Sequence, residues 1–311
     1  MLLSYKSCIF ASEITAKDVM KKLNYPCVEF RPRTWEIDEF DCASVFVLEG
    51  DEKALVIDTG IGIGNIREKI EELTDKPLIL VMSHGHGDHT GGSGWFEEFY
   101  MSPKDEGMFA FPETMEMRHF YANWIATRPA AENPFDNPAK DYPYDNAEDI
   151  QPFENVPKVL PMHDGQVFDL GGRKVTAYDA PGHTPGCMVF LDEETRILFC
   201  GDACNCNLGV ASERGTKQFI SIETAHRALK RILDLKGEKY DAVYNGHHDF
   251  RKLGEPLDDD VLPNAVQAME QLLDGTAKTE VLPHGIPGHP DRHVVRIRTT
   301  MVTYNPDGIF D

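Results

Sequence analysis

No apolar stretch in this 311-residue chain approaches the roughly 20 residues that a bilayer-spanning helix needs. The N-terminal MLLSYKSCIFASE has no long apolar core and no small-residue cleavage site, so no secretory leader is expected. Basic charge is also scarce. Lys and Arg number 31 against 52 Asp and Glu, a formal charge of −21. So acidic a surface repels phosphate backbones and anionic membranes. The densest basic stretch, AHRALKRILDLKGEK, mixes signs at helical spacing and reads as a solvated helix face. Neither nucleic acid nor a membrane is expected as a partner. Cysteines are an odd, scattered set of seven: Cys8, Cys27, Cys42, Cys187, Cys200, Cys204 and Cys206. With no leader, that set suits free thiols in a reducing cytoplasm. Cys204 and Cys206 lack CxxC spacing and are read as small buried side chains. A G-x-S-x-G nucleophile elbow is absent. A GxGxxG dinucleotide fingerprint fails as well, because the third glycine after Gly60 and Gly62 would fall on Asn65.

What is present is ordinary globular composition, 41% hydrophobic and 27% charged, long enough for one large α/β domain or two smaller ones. CASVFVLEGDEKALVID predicts two strands around a GDEK turn, GNIREKIEEL a helix, and LILVM a buried strand. QVFDLGGRKVTAYDA and CMVFLDEETRILFCGD predict two hairpins. Helices are expected over IETAHRALKRILDL and LPNAVQAMEQLLDG, a short strand over DAVY, and one closing strand near VVRIRTTMVTY. The simplest shape is two sheets face to face with helices outside. Residues 107–161 stand apart. They carry eight prolines and one predicted helix, and a segment so long is expected to be a functional insertion.

The chemistry concentrates at 83–92, SHGHGDHTGG, directly after the LILVM strand. His84, His86, Asp88 and His89 fall within six residues on a glycine-rich loop. Burying several imidazoles and a carboxylate together is unfavourable unless a divalent cation offsets it. Glycines permit the sharp turns that bring such ligands to one point. Further ligand-type residues follow in the same local frame of apolar strand, glycine, ligand. PGHTPG supplies His183, LFCGD supplies Asp202, and VYNGHHD supplies His247 or His248.

Taken together, VIDTG, HGHGDHTGG, PGHTPG, FCGD and YNGHH resemble the metallo-β-lactamase fold superfamily, in the right order over residues 55–248. The resemblance implies that residues 1–311 form a single domain, a four-layer αββα sandwich with a metal site along one edge of the two sheets. It implies that His84, His86 and His183 hold one divalent ion, that Asp88, His89 and His247 hold a second, and that Asp202 bridges them. Asp58 of VIDTG would support the metal loop rather than ligate. Zn²⁺ is the first expectation, with Fe or Mn as alternatives, since imidazole and carboxylate suit all three.

Two ions about 3.5–4 Å apart can share a hydroxide and polarise an electrophile. Asp88 would orient that hydroxide or take its proton. The expected activity is therefore dinuclear hydrolysis of a small ester, lactone or thioester. A mononuclear iron dioxygenase acting on a thiol persulfide is the alternative. A β-lactamase is disfavoured by Asp202, and a non-catalytic sensor by the complete ligand set. In the insertion, Met117, Tyr121 and Trp124 share one helical face beside Phe120. That face is expected to wall the substrate pocket, with His248 as a further pocket residue. His284, His289 and His293 near the C-terminus are expected to be structural or at the pocket rim.

Overall fold

The computed structural model describes residues 21–108, 115–129, 135, 137–153, 155–248, 251–283 and 291–311. A first sheet of seven strands follows the chain order: β1 (Cys27–Arg31), β2 (Thr34–Asp38), β3 (Ser44–Glu49), β4 (Ala54–Ile57), β5 (Leu78–Val81), β6 (Glu98–Met101) and β7 (Lys158–Pro161). The first four are antiparallel and the last four parallel, β4 being common to both sets. Between them run α1 (Ile66–Leu73), the short α2 (Gly87–Thr90) and α3 (Met115–Thr127). A second sheet has the order β13-β11-β10-β9-β8. Its strands are β8 (Val167–Asp169), β9 (Lys174–Asp179), β10 (Met188–Asp192), β11 (Ile197–Phe199) and β13 (Ala242–Tyr244). The crossover to β13 carries α4 (Ile222–Leu233), and α5 (Val261–Asp274) packs beside it.

Period-two alternation sets the layers. Phe46, Leu48, Leu55 and Ile57 face Phe168, Val175, Phe190 and Phe199 in a core between the two sheets. Their neighbours Val45, Val47 and Val56 point the other way, onto Ile66 and Ile70 of α1 and Ile125 of α3. On the far side Val189, Leu191 and Leu198 meet Leu229 and Ile232 of α4 and Val266 and Met269 of α5. Helix, sheet, sheet, helix is the resulting order. Cys204 and Cys206 are buried in that outer core. Among the described residues no helix is long and apolar enough to cross a membrane.

One expectation is corrected. VVRIRTTMVTY folds back on itself as the hairpin β15 (Arg292–Ile297) and β16 (Thr300–Tyr304), not as one strand. The turn carries no glycine or asparagine; Arg298 takes the positive φ of 53° that such residues usually supply. These strands join β12 (Asn207–Gly209) and β14 (Thr279–Leu282) in a third sheet of order β12-β16-β15-β14. The β1–β2 hairpin escapes sequence reading for the same reason, with Arg33 at φ 56°.

Within segment 107–161, α3 is anchored by charge. Arg118 of α3 is 2% exposed and donates to the carbonyls of Ile61, Gly62 and Gln151 at 2.8, 2.6 and 2.7 Å. Its guanidinium also lies 4.6 Å from the Phe153 ring centroid. Gly62 has φ 87°, and a Cβ there would sit 2.7 Å from Arg118 Nη2 and 2.8 Å from Gly91 O. Residues 158–161, at the insertion's end, form the edge strand β7. Arg118→Ala is expected to destabilise the chain by about 3 kcal/mol, because buried carbonyls lose charged donors. Urea unfolding checks this; a change below about 1 kcal/mol would contradict the anchoring.

Candidate metal centre

Every candidate ligand sits at the end of a strand or just beyond one. His84 and His86 follow β5, and Asp88 and His89 lie on α2, whose start fixes His86 in an extended conformation (φ −73°, ψ 149°). His183 follows β9, Asp202 follows β11 and His247 follows β13. The structure brings all seven together. His86 Nδ1 lies 3.1 Å from His84 Nε2 and 3.0 Å from His183 Nε2. Asp88 Oδ2 lies 3.6 Å from both His89 Nε2 and His247 Nε2. Asp202 stands between these two sets: its Oδ1 is 3.7 Å from His89 Nε2, and its Oδ2 is 3.3 Å from His247 Nε2 and 3.6 Å from His183 Nε2.

The outward nitrogens explain the inward ones. His183 Nδ1 donates to the Gly209 carbonyl (3.1 Å) and His247 Nδ1 to the Cys42 carbonyl (2.7 Å). His89 Nδ1 donates to Asp58 Oδ2 at 2.9 Å. Ser83 Oγ gives its proton to the same carboxylate, so it accepts from His84 Nδ1 at 3.0 Å. These four partners hold the ring proton on Nδ1 and turn an Nε2 lone pair inward. Lone pairs and carboxylates converging in this way repel one another unless a cation lies among them. His89 Nε2 and Asp202 Oδ1 are buried with no hydrogen-bond partner, which is the same statement made by individual atoms. The residues therefore fit a divalent cation: His84, His86 and His183, then His84, His89 and Asp202, then Asp88, His89 and His247 each bring three ligand atoms within 4.8 Å of one another.

Electrostatics agree. Burial, with His89 and His183 nearby, holds His84 well below the ordinary imidazole range. Burial and His183 lower His86 to about 4. Burial opposes charge on His89, yet Asp88, Asp202 and Asp58 outweigh it and raise its pKa well above that range. Burial would raise Asp202 too, but His247 and His89 hold it well below the carboxylate range. The centre thus attracts positive charge at one end and keeps neutral imidazoles at the other. His84 and His89 are closed off from solvent, while the side chains of His183, His247 and Asp88 keep 23%, 18% and 18% exposure. One side is open to a small molecule.

Asp58 contacts both Ser83 and His89. It takes a positive φ of 64°, unusual for a non-glycine residue and a feature of functional sites. It accepts from Ser83 N and Oγ, both at 2.7 Å, as well as from His89. Asp105, which nothing in its sequence surroundings singles out, has an equal share. It is fully buried and accepts from Gly85 N (2.9 Å), Gly186 N (2.6 Å) and Thr184 Oγ1 (2.6 Å). One carboxylate thereby ties the loop of His84 and His86 to the loop of His183. Glycine is required at the contact, since a Cβ on Gly186 would lie 2.5 Å from Asp105 Cγ. Gly246 is similar, with 2.7 Å left to His89 Cε1.

The other candidates are placed as follows. His248 turns away from the centre and is buried between Asp38 and Asp41. Burial lowers its pKa, but those two carboxylates outweigh it and bring the value up to about 10. On α3, Met117, Phe120 and Trp124 are exposed, and Tyr121 is half-buried against the core between the first sheet and α1. Arg128 lies 5.2 Å from the Trp124 ring centroid, and α3 runs against α2. His293 lies on β15 with its ring 6.1 Å from that of Tyr304. His284 and His289, like Cys8, lie outside the described residues.

Comparison with known proteins places these residues in context. The family model of the metallo-beta-lactamase superfamily matches residues 39–247. The human acyl-coenzyme A thioesterase MBLAC2 is 27% identical over 172 residues, 51% of this chain and 57% of that protein. An atrochrysone carboxyl ACP thioesterase from Aspergillus terreus is 26% identical over 163 residues, 51% of this chain and 38% of the relative. The match thus spans little more than half, or less, of the length of these curated relatives. A solved structure of a metallo-beta-lactamase with an HARLDQ motif from Cronobacter sakazakii superposes with a TM-score of 0.53 at 18% identity, over 84% of this chain and 98% of the other. That likeness concerns the fold.

Proposed function

The chain belongs to the metallo-beta-lactamase superfamily, and from that premise we propose that it is a dinuclear metal-dependent hydrolase of small thioesters, with esters and lactones as lesser substrates. One observation carries the reading: the Asp202 carboxylate lies 3.3–3.7 Å from inward nitrogens of both clusters, His183 on one side and His89 and His247 on the other. His84, His86 and His183 are assigned to one ion and Asp88, His89 and His247 to the other, with Asp202 shared. Zn²⁺ bound there would polarise an acyl carbonyl and lower the pKa of water towards neutrality.

The chain's own residues set the rest. Asp88 faces the open side and can accept the proton lost when water attacks the acyl carbon. Thiols ionise near a pKa of about 8.5, so a thiolate departs without a general acid. An amide nitrogen would need one. The relatives named as acyl-CoA and acyl-carrier thioesterases favour the same choice. The net charge of −21 works against the phosphates of a CoA carrier, so carrier identity belongs in the test. Thiol release from CoA and glutathione thioesters, measured beside p-nitrophenyl esters and lactones, should give the highest kcat/KM with a thioester. Oxygen uptake with a thiol persulfide and bound iron, without hydrolysis, would instead assign a persulfide dioxygenase.

The exposed apolar face of α3 is assigned to the acyl chain, because its helix runs against α2 beside Asp88 and His89. Trp124→Ala should raise KM for bulky acyl groups by up to about tenfold, some 1.4 kcal/mol of lost contact, with kcat and metal content unchanged. A lower melting temperature with native kinetics would place the pocket elsewhere.

A further inference from the structure

Beyond the centre just described, a second convergence of ligand-type side chains lies at the end of β2. The chain leaves Asp38 through two successive residues at positive φ, Phe40 at 53° and Asp41 at 66°. Neither is glycine, and such conformations persist where the surrounding structure enforces them. Asp41 N donates to Asp38 Oδ1 at 2.8 Å, which closes the turn and brings the two carboxylates side by side. Both residues are buried, at 5% and 7% exposure. His248 reaches them from the loop after β13, itself only 5% exposed. Its Nε2 lies 3.4 Å from Asp38 Oδ1 and 3.4 Å from Asp41 Oδ1, and it makes no hydrogen bond.

We infer that Asp38, Asp41 and His248 form a further divalent-cation site, distinct from the seven-residue centre, which fastens the insertion to the loop carrying His247. The spacing is the first reason. A charge-assisted hydrogen bond between imidazole and carboxylate closes to about 2.7–2.9 Å. Donor atoms around a four-coordinate ion with bonds of about 2.1 Å stand about 3.4 Å apart, by tetrahedral geometry. The same separation recurs between the inward donors of the main centre, as in His247 and Asp202 at 3.3 Å.

Charge is the second reason. Asp38 and Asp41 bring two buried carboxylates together. The two charges of a divalent ion match both. The remaining Asp41 oxygen, Oδ2, is already taken by Asn137 N (2.9 Å) and Tyr142 Oη (2.5 Å), so Oδ1 is the atom left for an ion. These two donors belong to the insertion, and this is what makes the site a fastening. Access is the third reason. A cavity of about 170 Å³, lined by Asp38, Phe40, Asp41, Asn137 and Tyr142 among others, reaches the two acidic residues of the cluster. It gives an ion a way in and leaves room for water as a further ligand. One imidazole with two carboxylates suits Zn²⁺, or Mn²⁺ and Fe²⁺; Ca²⁺ would ask for six to eight oxygens.

The test is anomalous diffraction from crystals of the full chain grown with Zn²⁺ alone, recorded on both sides of the zinc absorption edge. A peak at bonding distance from the three donor atoms is the expected result. Asp41→Asn should abolish that peak, keep those of the main centre, and lower the zinc content by one ion per chain. If that variant does not fold, the map of the unsubstituted protein still decides. No peak at the cluster overturns the inference, whether or not the main centre is filled, and leaves His248 as an ion-paired imidazolium. A peak here with an empty main centre would sustain this site and reject the hydrolase reading.

Discussion

Asp202→Asn should lower kcat for thioester hydrolysis roughly a thousandfold while leaving the fold in place. The amide matches the carboxylate in shape, so packing is preserved. It removes one negative charge and sets an N–H donor where Asp202 faces His89, His183 and His247 at 3.3–3.7 Å. Loss of the shared oxygen costs about 4 kcal/mol of charge stabilisation on the scale of metal-assisted catalysis, and each 1.36 kcal/mol is about tenfold in rate. Thiol release and metal content are measured on the same preparation. Turnover within a few-fold of native would remove Asp202 from its bridging assignment.

Asp105→Ala should have the larger effect on stability, a loss of about 3–5 kcal/mol. It leaves two buried backbone N–H groups and one buried hydroxyl without an acceptor, each worth about 1–3 kcal/mol. Thr184 can turn to Cys187 Sγ, 3.2 Å away, which lowers the sum. The substitution also acts on the centre. Gly85 lies between His84 and His86, and Thr184 follows His183, so both loops lose a common support. Supports of this kind typically change metal affinity by about 10–100-fold. Asp105→Asn keeps one acceptor oxygen and should recover part of both losses. Metal affinity equal to native in the folded fraction of Asp105→Ala would make Asp105 a purely structural residue.

The two residues illustrate what a sequence discloses. His84, His86, Asp88 and His89 are legible because they lie within six positions on a glycine-rich loop after an apolar strand. His183, Asp202 and His247 repeat that local frame, and the apolar runs at 44–49 and 54–57 disclose two strands of the first sheet. Asp105 has no such frame. Its partners lie 20, 79 and 81 residues away, and only the folded chain brings them together. Asp38 and Asp41 meet His248 across more than 200 residues, which is why His248 reads from sequence as a pocket residue while it lies buried beside two carboxylates. The hairpins at Arg33 and Arg298 are hidden for a different reason. Each has a left-handed arginine where turn chemistry leads one to look for glycine.

The central claim is that two divalent ions, held by two groups of side chains joined through Asp202, hydrolyse a thioester. The most direct measurement compares the metal content of the native chain with that of His84→Ala/His89→Ala, each folded by circular dichroism, alongside thiol release from the best thioester. A substitution in each group should leave the variant with two fewer ions per chain and no detectable thiol release. Equal metal content in the two proteins, or near-native thiol release by the variant, would contradict the account.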